Sequence, residues 1–372
     1  MRHFVRLGKI MDIFVIVALL LYLCSHSKYI KIAVMKKIIS LLILVLIGVM
    51  NLSASDKSIF WLGADISGTT ELEARGVQLY NTAGEPRENT QLMKELGLNA
   101  IRLRVWVNPK GGFSSKEDVL VMAKRAQALD MAIMIDFHYS DWWADPAKQN
   151  IPAAWANYSY KQMKRALAKH TTETLQLLKD NGIDVKWVQV GNETTNGFLW
   201  PMGRATDNMR QYAGLTDAGY ATVKKVYPDA TVIVHLDCAC DAKRYDFIFD
   251  GLRKYKARFD MIGVSVYPYW DIDTKLETDW HGTVEHFAAN LRRISKKYGV
   301  ETMVVETGVE AKKPVEGKVI MKGIINAARN NTDGHCHGVF YWAPELEGPY
   351  PLGAFDNHRP TAIMEAFTEA AK

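Results

Sequence analysis

The stretch VKWVQVGNE, residues 185–193, is an apolar run that closes on Gly191, Asn192 and Glu193. Its near-continuous apolar body reads as a strand covered on both faces, the mark of a parallel sheet between helices. ETMVVET, residues 301–307, has the same build and ends with Glu306. Six further runs share it: FWLGADI (60–66), NAIRLRVWV (99–107), MAIMIDFHY (131–139), TVIVHLD (231–237), FDMIGVSVYP (259–268) and GVFYWAP (338–344). Amphipathic segments such as SKEDVLVMAKRAQALD, YKQMKRALAKHTTETLQLLKDNG and TVEHFAANLRRISKKYG separate them at helical period. Eight such units predict an α/β protein with a single (β/α)8 TIM barrel over residues 56–372. The alternative, a doubly wound open sheet, calls for a Gly-rich phosphate turn after the first strand. GADISGTT is not GxGxxG.

Composition fits a globular chain: 48% hydrophobic, 10% aromatic and 23% charged residues among 372. The net charge of +5 is misleading, because seven of the 46 Lys/Arg and one of the 41 Asp/Glu lie in residues 1–55. The remainder carries 39 basic and 40 acidic residues. No electrostatic footprint for nucleic acid is present in that body. The N-terminus holds two apolar runs, Ile13–Cys24 and Ile38–Met50, both shorter than the roughly 18–20 residues that span a bilayer. Met35-Lys36-Lys37 before the second run and Ser53-Ala54-Ser55 after it describe a signal peptide over residues 35–55. Residues 1–34 then form an upstream extension or start-site artefact, the rival reading being a short membrane anchor built on the first run. The expected location is secreted, periplasmic or at the cell surface. Cys24 lacks the small preceding residue of a lipoprotein signal. Four cysteines are too few for a disulfide scaffold. Cys238 and Cys240 could pair only with strain. His335-Cys336-His337 falls at the opposite barrel end, which disfavours a zinc site shared with them.

In a barrel the chemistry sits at the C-terminal strand ends. Those ends carry Asp65 and Ser67; Arg102 and Arg104; Asp136, His138, Tyr139, Asp141, Trp142 and Trp143; Asn192 and Glu193; His235 and Asp237; Ser265 and Tyr267; Glu306; and Trp342 and Glu345. Glutamates on strands 4 and 7 face each other across the mouth, as glycoside hydrolysis requires of its carboxyl pair. Asn192 is placed to bind a sugar 2-hydroxyl, and Tyr267 to hydrogen-bond Glu306. Arg102 and Arg104 share one strand face and are expected to lower the nucleophile's pKa. Trp142, Trp143 and Trp342 offer flat faces for sugar rings. Trp61 and Trp187, inside strands, read as core. His138 and His235 read equally well as structural histidines. Asn192-Glu193-Thr194 also fits a glycosylation sequon, a reading that a buried strand end opposes.

Taken together, GADIS, IRLRVWVNP, DFHYSDWWADPAKQ, QVGNE, HLD, GVSVYP, VVET and FYW resemble glycoside hydrolase family 53, the endo-β-1,4-galactanases. The resemblance runs from about Trp61 to Ala366 and carries its most specific motif on strand 3. It implies cleavage within β-1,4-galactan of type I arabinogalactan, with Glu193 as acid/base and Glu306 as nucleophile in a retaining reaction. Among the strand-end residues, the candidate substrate-binding set is Asp65, Arg102, Arg104, Asp136, His138, Asp141, Trp142, Asn192, His235, Asp237, Tyr267 and Trp342. No cofactor or metal is expected. The calcium loop of some bacterial members corresponds to a short segment between Trp342 and Asp356. A monomer acting on polysaccharide, with no protein partner, is the expected state. Cys238-Ala239-Cys240 departs from the Asn-Gly-Trp usual after HLD. The rival readings are another endo-glycanase, a mannanase or xylanase, and a non-catalytic glycan-binding barrel.

Overall fold

The computed structural model describes residues 59–372. Residues 1–34 and the signal-peptide segment 35–55 lie outside the described residues. Eight parallel strands close a barrel: β1 (Trp61–Asp65), β2 (Ala100–Val105), β3 (Ala132–Phe137), β4 (Trp187–Val190), β5 (Thr231–Leu236), β6 (Met261–Val266), β7 (Glu301–Thr307) and β8 (Cys336–Trp342). β1 closes the ring, pairing with β8 through Trp61–Gly338 and with β2 through Gly63–Ala100. The expected TIM barrel is the observed fold, and closure excludes the open sheet.

The helices between strands form because their apolar positions recur at helical spacing and their ends are capped. Ser115 Oγ accepts from the Asp118 N–H at the start of Lys116–Ala128. Ser159 and Gln162 make a reciprocal capping box on Tyr160–Asp180. Asp241 and Asp279 cap Ala242–Lys254 and Trp280–Tyr298, and Gly299 ends the latter in the left-handed conformation.

The larger core lies between strands and helices. A smaller one fills the barrel, from Ala100, Met134, Trp187, Ile233, Met261, Met303, Val305 and Phe340. Trp187 is buried and meets Trp61 edge-on at 5.1 Å, so both belong to this packing. Truncating a buried tryptophan of this kind costs about 3–5 kcal/mol. Above this apolar layer, the next inward positions are polar: Asp65, Arg102, Asp136, Gln189, His235 and Ser265, all buried.

Two local departures from regular strand geometry aim the glutamates. After β4, Gly191 has φ +92°, and a Cβ there would stand 2.4 Å from Thr194 Cγ2, so glycine is required. Two residues on, Glu193 takes φ +44°, a strained value for a non-glycine residue. In β7 an extra residue is inserted. Val304 pairs with Val264 and Val339, whereas the next partners are Glu306 with Ser265 and Thr307 with Tyr341. Strict alternation would turn Glu306 outward, because Val305 already faces the interior with Met303. The bulge lets two consecutive side chains, Val305 and Glu306, both enter the barrel.

Candidate active site

Arg102 is the hub of the mouth. It is wholly buried, and its Nη1 lies 2.7 Å from Asp65 and 2.8 Å from Glu306 Oε1. Nη2 donates to Asp136 at 2.9 Å and to Asn192 Oδ1 at 2.8 Å, while Nε donates to Gln189 Oε1 at 2.7 Å. Arginine suits the position because its fork serves several acceptors at once. His138 Nε2 supports Asp136 at 3.0 Å, and its Nδ1 accepts from the Ala144 N–H. Burial pushes the Asp136 carboxyl upward, yet Arg102 and His138 outweigh it and hold it below the ordinary range.

An oxygen of Glu193 and one of Glu306 lie within 4.8 Å of each other. Burial lifts Glu306 to about 7, opposed by Arg102. Arg102 pulls this carboxyl down as expected, but its one charge is divided among three carboxylates and burial prevails, so the net shift is upward. Glu193 is likewise held well above the ordinary value by burial, by Glu306 and by Asp237. Of the pair, Glu306 holds the Arg102 guanidinium at 2.8 Å and is favoured to ionise, whereas Glu193 is bonded to the neutral Ser265 hydroxyl. Tyr267 Oη reaches Glu306 Oε2 at 3.4 Å.

A cavity of about 660 Å³ opens above this pair. Glu193, Glu306, Asn192, Asp237, Tyr267 and Trp342 line it, as do Trp143, Trp270 and Tyr350. A larger groove of about 920 Å³ runs past Asn108, Tyr158 and Arg165, but it holds no carboxyl pair of this kind.

The remaining predicted binding residues lie elsewhere. Asp65, Arg102, Asp136, His138 and His235 form the hydrogen-bonded floor beneath the cavity and do not line it. Arg104 does not reach Glu306. Its guanidinium is sandwiched between the rings of Trp106, at 4.4 Å, and Trp143, at 4.0 Å, so it props an aromatic wall. Asp141 is spent on two loops, accepting from the Asn108 and Ala153 N–H groups. Trp142 is 53% exposed and stacks on Trp106, off the cavity lining. Asn192 is buried, with its amide bonded to Ala144 and Arg102 at the site, which opposes the sequon reading. Cys238 and Cys240 are free thiols, Cys238 facing the cavity. His335 and His337 both meet Glu301, at the start of β7, and so sit at the far end of the barrel. The sequence reading names Ser265 at a strand end without a role, and it misses Gln189, Trp270 and Tyr350. Gln189 was legible as a polar residue two positions from Trp187 on the inward face.

Among the described residues, Glu193, His235 and Glu306 are the one group whose ligand atoms come close enough to hold a metal ion. Both nitrogens of His235 are already taken, Nε2 by Ser265 and Nδ1 by Gln189, so the histidine has no lone pair to offer.

Residues 61–348 match the family model for glycosyl hydrolase family 53. The chain belongs to this family. This family 53 chain is 33% identical over 314 residues to endo-beta-1,4-galactanase of Bacillus subtilis, covering 77% of this chain and 70% of that protein. Against arabinogalactan endo-beta-1,4-galactanase A of Aspergillus niger the identity is 28% over 323 residues, covering 81% and 89%. Among solved structures, a fungal beta-1,4-galactanase superposes with a TM-score of 0.74 at 27% identity over 83% of this chain and 99% of the other. A family 53 catalytic domain from Ignisphaera aggregans gives 0.74 at 30% identity, covering 83% and 95%. The family barrel is therefore a glycoside hydrolase, in agreement with the resemblance seen in the sequence.

Proposed function

We propose that this family 53 hydrolase is an endo-β-1,4-galactanase acting on type I arabinogalactan by a retaining double displacement. The observation that carries the mechanism is the proximity of the two carboxyl groups. A retaining pair stands about 5–5.5 Å apart, whereas an inverting pair needs about 6.5–9.5 Å to admit water between them. Oxygens of Glu193 and Glu306 within 4.8 Å support retention.

The surroundings of the two acids support the roles. Glu306, favoured to ionise by Arg102, attacks the anomeric carbon. Glu193, bonded to the neutral Ser265 hydroxyl, gives its proton to the leaving oxygen. It then takes a proton from water, which cleaves the galactosyl–Glu306 ester and restores both groups. Asn192 spends one Nδ2 hydrogen on the Ala144 carbonyl, leaving the other for the sugar 2-hydroxyl. Trp342, Trp143 and Trp270 form the apolar walls against which sugar rings stack. No step calls for a cofactor. The galactan preference is supported by the likeness to the Bacillus and Aspergillus enzymes, and secretion by the composition of residues 35–55.

A reducing-sugar assay on linear β-1,4-galactan, mannan and xylan tests the reading. Release from galactan well above the others is expected. Equal or greater release from mannan or xylan, or none from galactan, would overturn it.

A further inference from the structure

The floor of the site contains a chain of hydrogen bonds whose direction is dictated by its first member. An arginine can only donate. Arg102 Nε–H donates to Gln189 Oε1 at 2.7 Å, which fixes that amide so that its NH2 faces His235 Nδ1 at 3.0 Å. The Glu193 backbone N–H also points at Nδ1, at 3.3 Å. Asn192 Oδ1 stands 3.0 Å from the same nitrogen. A bare Nδ1 satisfies two donors and opposes one acceptor, whereas a protonated Nδ1 would do the reverse. The neutral ring therefore carries its hydrogen on Nε2, which faces Ser265 Oγ at 2.8 Å. Burial and Arg102 both keep the ring uncharged. With its acceptor site filled by the imidazole, the Ser265 hydroxyl has one outlet for its own hydrogen, Glu193 Oε1 at 2.6 Å.

We propose that Ser265 is a positioning residue for the acid/base: it ends a directional relay from Arg102 through Gln189 and His235. By occupying Oε1 of Glu193, it confines the catalytic proton to Oε2. The inference rests on the reading of Glu193 as acid/base. Arg102 then governs both carboxyl groups, Glu306 by direct contact and Glu193 through the relay. All four relay members are buried, with Arg102, Gln189 and His235 wholly so, and solvent cannot scramble the direction. The charged and titratable groups facing Glu193 from its neighbours are Glu306, Asp237, Asp145, His235, Tyr267 and Tyr350. Ser265 alone among the side chains bonded to Glu193 offers a hydroxyl that strengthens as the carboxylate forms.

Two measurements test the relay. Long-range 1H–15N correlation on histidine-labelled wild-type protein, with His235 assigned through His235→Asn, should show a neutral Nε2–H ring at pH 7. An Nδ1–H ring or a charged ring would overturn the proposal, and this readout requires no activity. In Ser265→Ala, loss of a bond that favours the ionised acid should raise the basic limb of kcat/KM by about one pH unit. The acid limb should stay in place and kcat should fall about tenfold, and Ser265→Thr should restore the limb. A slower enzyme with both limbs unmoved would overturn the proposal and reduce Ser265 to packing. A wild type inert on galactan would instead sink the proposed activity, leaving the tautomer measurement to judge the relay.

Discussion

Arg102 Nη1 stands 2.8 Å from Glu306 Oε1 inside the barrel, with both groups almost entirely out of solvent. The same guanidinium serves Asp65 and Asp136. Removing it leaves three buried carboxyl groups without their cation. Arg102→Met should therefore lower unfolding stability by about 3–5 kcal/mol in urea titration. Arg102→Lys should recover only part of that loss, because one ammonium cannot replace a fork with five donors. Full recovery by lysine would show that charge alone matters.

The pH dependence follows from the order in which the pair titrates. In the proposed mechanism attack requires Glu306 ionised, and this carboxyl is lifted to about 7. Lowering the pH through that value should cut kcat/KM tenfold per unit in the limit. The basic limb should lie higher, where Glu193 loses its proton. An acid limb near 4.5 would mean that Arg102 outweighs burial.

Chemical rescue separates the two glutamates. Glu306→Ala should lose roughly four or more orders of magnitude in kcat, and azide should restore turnover by forming the α-galactosyl azide. Glu193→Ala with azide should instead give the β-azide when the leaving group is an activated phenol. The same anomer from both variants would refute the assignment.

Glu345 offers a test of stability away from catalysis. It is buried, its Oε2 has no hydrogen-bond partner, and burial lifts it to about 8. The folded chain thus holds a proton that the unfolded chain releases near pH 4.5. Stability from this group is fully present below that pH and is lost as pH rises toward 8. Glu345→Gln removes the titration. Its stability relative to wild type should improve by roughly 2–4 kcal/mol between pH 5 and pH 9. A pH-independent difference would contradict the burial argument.

The aromatic residues should divide by position. Trp342→Ala, at the cavity wall, should raise KM for galacto-oligosaccharides about tenfold or more, since stacking of this kind contributes about 1–3 kcal/mol by analogy with aromatic pairs and their buried area. Trp142→Ala, stacked on Trp106 off the lining, should change KM several-fold less. Equal effects would place Trp142 against substrate.

Much of this is legible in the sequence. Burial on both strand faces announced the barrel, and polar residues crowding the strand ends announced its working face. Glu193 and Glu306 stood out because carboxylates rarely close apolar strands. Other features were hidden because the two-residue period cannot see them. Asp141 and Trp142 sit in the same motif as Asp136 and His138, yet their loop carries them sideways, one to staple N–H groups and one to solvent. Arg104 follows Arg102 on the same face, but one more step up the strand exchanges carboxylates for indole rings. Gln189 was passed over as strand body, although its amide decides the tautomer of His235.

The extra residue in β7 has an evolutionary side. Hydrolytic competence in this barrel depends on a register: at the present length of VVET only the bulge turns Glu306 inward beside Val305, and regular pairing of the same residues would deliver the glutamate to the helical shell. Loss of the bulge at unchanged strand length is the event by which a lineage of such barrels would be expected to abandon catalysis in one step.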